Sequence, residues 1–455
     1  MSLNQGMLRT TMRAGLFVGL AILSGAAFHW LWPVETLHAA APPASTPSPG
    51  PEMTINEVGG KSLKEWKDEL KSFDPSVREE AIRAIPLFGP AALDAVPALA
   101  EHINDLDASP REKSILALGM IHSMSPIEGK DRDKIVKMLG ERLDGNESQG
   151  PIRYDIALVL MMFGKDSKAA LPGLIHGAGD TSCWEVRRIC LAALAQAGQT
   201  DDMHGPDRRA TQCLLTALNV DERAAAVRLQ AVMTMAQLGK PMDQGLLAEE
   251  LSTVRRMMKD KDKTVAIWAH LSMMALDNID KPDIDYLTIA SKPTEIERVR
   301  TQAIGALGMV ATKKDEVIPT LVDYLSETKS PVIVAAACQA LGGIKDPGAK
   351  AKASLVAIAV SKDEKIDQNV RIAAIYALSR IAGEDKSMVA TLVALLADSD
   401  PTIVTTSCHA IGLIKEPGAA AEQAITELSQ NQKVAVSIRE YAQKVHEAMA
   451  KPNAH

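Results

Sequence analysis

The sequence predicts an all-α protein, a right-handed α-solenoid of about eleven stacked helical hairpins. Three observations lead there. A short pattern of apolar, Arg and small residues returns at gaps of about 33 to 42 residues through most of the chain. Arg follows the first apolar residue of that pattern in eight of the eleven copies, which is too regular for chance. The apolar 46 % of the chain is dominated by Ala, Leu, Ile, Val and 20 Met, while aromatic residues reach only 3 %. Small and flexible side chains suit helices packed close together, and Ala, Leu and Met are good helix formers.

The first element is an export signal. Arg9 and Arg13 precede an apolar run over 14–34, the order of charge and apolarity in a signal peptide or signal anchor. The run is long enough to span a bilayer, and Trp30 and Trp32 suit its interface, which favours retention. Leu37-His38-Ala39 followed by Ala40 also offers a small-residue cleavage site, so residues 1–39 read as either kind of signal. In both cases the basic end stays in the cytoplasm and the rest of the chain is exported, periplasmic or membrane-anchored. Residues 40–60 hold Pro42, Pro43, Pro47, Pro49 and Pro51 among Ser, Thr and Gly, a tether that resists helix. The repeats occupy 61–450, and 451–455 form a tail.

Each repeat is read from an anchor: Val77, Pro110, Ile152, Val186, Val227, Val265, Val299, Ile333, Val370, Ile403 and Ile438. Residues four, seven, eight and eleven after the anchor are apolar or small, one stripe of a helix. Asp74, Asp107, Asp262, Asp367 and Asp400 stand three before their anchors, where a carboxylate caps the helix start. Gly89, Gly164, Gly198, Gly239 and Gly383 follow its end as stops. A second amphipathic stretch precedes each such helix, with an early proline at Pro97, Pro172 and Pro319. Every repeat is therefore a hairpin that buries its stripe only by stacking on its neighbours.

The stretches Asp74 to Ile85, Asp367 to Leu378 and Asp400 to Gly412 resemble HEAT repeats, of the short kind first named from phycobilisome lyases, within the HEAT/armadillo-like superhelices. The resemblance covers about 61–450 and is looser in the third to sixth repeats. It implies a scaffold whose second helices line a concave side, with an inter-repeat ladder of Asp and Arg: Asp74, Arg78, Asp107, Arg111, Asp367 and Arg371. Ala266, Val334 and Val404 replace the Arg and should interrupt that ladder.

Composition and motifs restrict the function. A net charge of −7 and few aromatics oppose nucleic acid as the partner. The five cysteines, Cys183, Cys190, Cys213, Cys338 and Cys408, are odd in number and lack C-x-x-C spacing, so most read as buried small hydrophobes. The usual hydrolase, zinc-protease, phosphate-loop and haem motifs are missing from the sequence. Cys408 and His409 point about 100° apart on a helix, so they make no catalytic pair, and His409 should face outward. The expectation is a protein- or peptide-binding scaffold of the cell envelope with no catalytic residue, metal, cofactor or small-molecule substrate. The membrane enters as a partner through the N-terminal segment if it is not cleaved. A bilin-lyase-like enzyme and a nucleic-acid-binding HEAT-like protein are the alternatives.

Residues two, six and nine after the anchor project away from the core stripe. They are polar at the chain's ends and apolar in the middle: Tyr154, Leu158 and Met161; Leu229 and Met233; Ile267, Leu271 and Met274. These eight are the candidate docking face, a Met-rich surface for a helix or extended peptide. The alternative reading is that they pack between neighbouring second helices as core.

Overall fold

A computed structural model describes residues 55–200, 205–219, 222–277, 281–311, 315–327 and 330–450. The expected signal over 1–39, most of the tether and the tail 451–455 lie outside these residues. The described residues form an all-α solenoid, with helices in sequential pairs and no β-strand. All eleven anchors fall in the second helix of a pair; all are buried except half-buried Val77. The chain divides into two compact bodies, the first holding residues up to 259 and 275–277, the second 260–274 and 278 onward.

In the first body the paired helices are α1 (Leu63–Glu69) and α2 (Pro75–Ala84), α3 (Val96–Glu101) and α4 (Ala108–Met124), and α5 (Gly129–Glu141) and α6 (Gly150–Met162). Next come α7 (Leu171–Ala178) and α8 (Trp184–Ala197), α9 (Arg208–Asn219) and α10 (Ala225–Leu238), then α11 (Gln244–Met257). The second helices α2, α4, α6, α8 and α10 pack in series, and first helices pack beside one another in a parallel layer. The N-terminal edge starts earlier than Lys61. Trp66 Nε1 donates to the Val58 carbonyl at 2.9 Å and fastens the last tether residues onto α1.

Ser62 and Glu65 form a capping box that starts α1. Asp74 accepts from the Ser76 N–H at 2.8 Å, and Pro75 supplies a preset φ for the first turn of α2. Pro75–Asn104 passes for a membrane-crossing helix by length and apolarity, yet half of its apolar window is buried within the repeats. Gly89, at φ 62°, also breaks it. Gly164 and Gly239 likewise end helices with positive φ, whereas Gly198 and Gly383 stay right-handed. Gly198 is small for another reason: a Cβ there would lie 2.7 Å from the Ala210 Cβ.

The second body contains most of α12 (Lys263–Leu276), then α13 (Lys281–Ala290) and α14 (Glu297–Ala311), α15 (Ile318–Tyr324) and α16 (Pro331–Gly342). It continues with α17 (Gly348–Ala359) and α18 (Gln368–Ala382), α19 (Ser387–Ala394) and α20 (Pro401–Gly412), and α21 (Ala419–Gln430) and α22 (Val436–Ala450). Here α14, α16, α18, α20 and α22 pack in series. The approach is close because small residues meet: a Cβ on Gly342 would stand 2.6 Å from the Ala377 Cα. Close contact of this kind replaces the bulk that aromatic side chains supply in other cores.

Candidate partner-binding surface

The turns between first and second helices are locked by a repeating ion pair. Arg78 donates from Nε and Nη2 to the Asp105 carboxylate, both at 2.8 Å, and from Nη2 to Asp107 at 2.8 Å. Arg111 reaches Glu147 at 2.7 Å, Arg153 reaches Asp180 at 2.7 Å, and Arg187 reaches Glu222 at 2.8 Å. In the second body Arg300 meets Glu327 at 3.2 Å and Arg371 meets Asp398 at 2.7 Å. Each acceptor stands five or six residues before the next anchor, two before the cap in most repeats. Most also accept a backbone N–H of their own turn, as Asp105 does from Asp107 at 3.0 Å and Glu147 from Gln149 at 3.1 Å.

Burial opposes the charged form of Asp105, but hydrogen bonds from Arg78, His102 and the Asp107 N–H outweigh it and hold the carboxyl at about 2. Glu147 and Asp180 are lowered for the same reason, against the cost of their own burial. The ladder expected from the helix-capping aspartates is therefore corrected in its acceptors. Asp107 does receive Arg78, but Asp74 and Asp367 cap their own helices, Asp367 accepting from the Asn369 N–H at 2.8 Å. Asp74 opens the first repeat and has no predecessor; the repeat before Asp367 carries Val334 where an Arg would reach it. Ala266, Val334 and Val404 are buried at the Arg position. The following repeats carry Thr294, Lys365 and Lys433 at the acceptor position five before the anchor. Donor and acceptor are lost together after Ala266 and Val404, whereas Glu364, six before Val370, keeps an acid in the turn after Val334.

The eight docking candidates do not share one environment. Leu158, Ile267, Leu271 and Met274 are buried, Leu271 completely, and the exposure that docking demands of them is absent. For Leu158 the cause is the packing of α6 between α4 and α8, which widens the buried arc beyond the core stripe. Tyr154 and Met161 on α6, and Leu229 and Met233 on α10, remain half-buried. Between them, α8 contributes half-buried Arg188, Ala192 and Gln196. The first body thus keeps a mixed strip of Met, Leu, Tyr and Arg across three packed helices.

Elsewhere polar chemistry is spent internally. Cys190, Cys338 and Cys408 are buried, while Cys183 and Cys213 are half-buried. Burial raises the Cys213 thiol to about 11 and the Cys338 and Cys408 thiols to about 12, leaving them inert as nucleophiles at neutral pH. His409 does not face freely outward: its Nδ1 is 2.8 Å from the Tyr441 hydroxyl, and its ring meets Tyr376 edge-on at 6.0 Å. Burial pushes its pKa down. His270 Nδ1 lies 2.6 Å from Asp283 and its ring stacks on Tyr286. Lys352 bridges Asp346 and Asp385 at 3.0 and 2.8 Å in a shallow groove between α17 and α19. Among the described residues no group of three or more His, Cys, Asp or Glu could hold a metal ion.

Residues 288–367 match the family described as HEAT repeats. No curated protein sequence matches the chain. Among solved structures, importin beta superposes with a TM-score of 0.55 at 13 % identity over 85 % of this chain and 59 % of its own. The Kap95:Nup1 complex gives a TM-score of 0.53 at 14 % identity, over 85 % and 56 % respectively. This chain therefore spans less than two thirds of those two chains, and the likeness is one of fold. With the locked turns, the serial second helices and the matched segment, the chain carries HEAT repeats over 288–367 and is built as an α-solenoid.

Proposed function

We propose that this protein is a non-catalytic scaffold of the cell envelope, carried outside the cytoplasm on its N-terminal segment, that binds a protein or peptide on its layer of second helices. The observation that carries the reading is the half-exposed strip of the first body, Tyr154, Met161, Leu229 and Met233 around Arg188. Thioether and aromatic side chains beside a guanidinium adapt to a peptide's backbone and side chains. The Kap95:Nup1 complex supports it by showing a protein of this architecture engaged with another.

The test places a photo-reactive amino acid at Met233 or Met161 of the full chain in intact cells, with exposed Lys259 as control. One protein adduct shared by the two strip positions and missing from the control supports the scaffold. Adducts indistinguishable from the control, or recovery of a chromophore or small substrate, overturn it. A phosphatase reporter fused after His455 tests the location separately. Activity is expected, and a silent reporter places the repeats in the cytoplasm.

A further inference from the structure

We propose that Phe73 and Leu106 form a two-pronged apolar tip that inserts into the headgroup–acyl boundary of the bilayer. The inference rests on the proposed export above with the N-terminal segment uncleaved, so that residues 14–34 stay in the membrane. Phe73 sits in the α1–α2 turn and Leu106 in the α3–α4 turn, at 103 % and 97 % exposure, so neither side chain rests on the rest of the protein. Single exposed apolar residues are ordinary; two fully extended ones on adjoining turns are not.

One guanidinium holds both turns. Arg78 Nη1 donates to the Ser72 and Phe73 carbonyls at 2.9 and 3.1 Å, while the other nitrogens grip Asp105 and Asp107 on either side of Leu106. Arg111 secures the second turn again through the Asp105 and Leu106 carbonyls at 2.7 and 3.3 Å. The prongs therefore stand on jointly pinned turns about one helix spacing apart, roughly 8–10 Å. The same position, four before the anchor, carries Ser148, Ser182, Arg223, Lys261, Glu295 and Lys329 in the next six repeats. The last three repeats carry half-buried Ile366, Ser399 and half-buried Val434 there, so among the described residues full apolar exposure at this turn belongs to the first two repeats.

The occupant is lipid by position and by charge. Residues 35–54 between the run and the first described residue span at most about 70 Å when extended, so these two repeats are the ones held nearest a membrane. Lys71 beside Phe73 pairs with Asp68 at 3.0 Å, and Asp74 and Asp107 flank the tips. Among the described residues no unpaired basic cluster stands there to hold an anionic headgroup, so uncharged lipid suffices. An aromatic and an aliphatic side chain rimmed by polar turns match the interfacial boundary.

The full chain is reconstituted into phosphatidylcholine vesicles with Cys183→Ser and Cys213→Ser, and an environment-sensitive nitrobenzoxadiazole label is placed by Phe73→Cys, Leu106→Cys or, as control, Ser148→Cys. Flotation reports tethering, and quenching by shallow nitroxide lipids reports insertion. The expected result is flotation of all three, with the labels at 73 and 106 quenched about twofold or more and the label at 148 hardly affected. Flotation with equal responses at the three positions overturns insertion and leaves the tether standing. Failure to float removes tether and insertion together. A dry label environment at 73 and 106 without vesicles assigns the tip to a protein contact and overturns the lipid assignment.

Discussion

Replacing Glu250 by Gln should stabilise the protein at neutral pH and leave its stability unchanged in mild acid. Glu250 lies on the inner stripe of α11 with Leu246, Leu247, Val254 and Met257, at 1 % exposure, and neither carboxylate oxygen has a hydrogen-bond partner. Burial raises its pKa to about 8, so the folded protein keeps it protonated where the unfolded chain would ionise it. A raised acid pKa means that stability is fully present below the unfolded value, near 4.5, and is lost as pH rises towards 8. Each pH unit in that window costs about 1.4 kcal/mol, so at pH 7 the folded state forgoes about 3 kcal/mol. Glu250→Gln removes the titration while keeping the shape. The assay is thermal melting followed at 222 nm, for both proteins, from pH 4 to pH 8.5. The variant's first transition should gain about 5–10 °C at pH 7 and nothing near pH 4. An equal difference at every pH, or a less stable variant at pH 7, refutes the argument.

Arg78→Met should cost about 3–5 kcal/mol, because it leaves the buried Asp105 carboxylate without its principal partner; a loss below 1 kcal/mol in denaturant melts would show the pair to be ornamental. His122 Nδ1 accepts the Ile127 N–H at 3.1 Å and burial lowers its pKa. Its contribution is present above the unfolded value near 6.5 and lost as pH falls below it. His122→Gln should therefore flatten the stability slope below about pH 6.5, measured by melting at fixed ionic strength. Leu271→Glu should melt many degrees lower because it buries a carboxylate, whereas Met233→Glu, at a half-exposed position, should shift melting little while abolishing the photo-adduct of the strip. Equal melting losses in the two variants would return Met233 to the core.

The repeats were legible because burial in a helix repeats with its turn: anchors from Pro110 to Ile438 are apolar or small for the same reason that they are buried. The donor half of the ladder was legible as well, since Arg stands one residue after the anchor in eight of the eleven repeats. Its acceptor half was harder to see. Asp105, Glu147, Asp180, Glu222, Glu327 and Asp398 alternate in side-chain length, and the turn they occupy varies by a residue. The signal that finds them is their loss after Ala266 and Val404. Leu158 and Leu271 were misplaced for a different reason. Periodicity says which face of a helix is apolar, but the width of the buried arc depends on how closely the next helix approaches; beside Leu158 the approach is tight, a Cβ on Gly119 of α4 standing 2.9 Å from the Val159 side chain.

The carboxylate partners of Arg78, Arg111, Arg153, Arg187, Arg300 and Arg371 all lie forward along the chain, so each of these repeats donates its ion pair to the next. A head-to-tail joint of this kind is indifferent to how many members the row contains. A copied repeat carrying both Arg and its turn carboxylate can be inserted after α4 or α6 without leaving an unmatched charge. A repeat inserted after Val334 or Val404 meets no donor and should omit its acid. Lengthening or shortening the row by gene duplication therefore has permitted and forbidden seams, and those seams can be read from two residue positions.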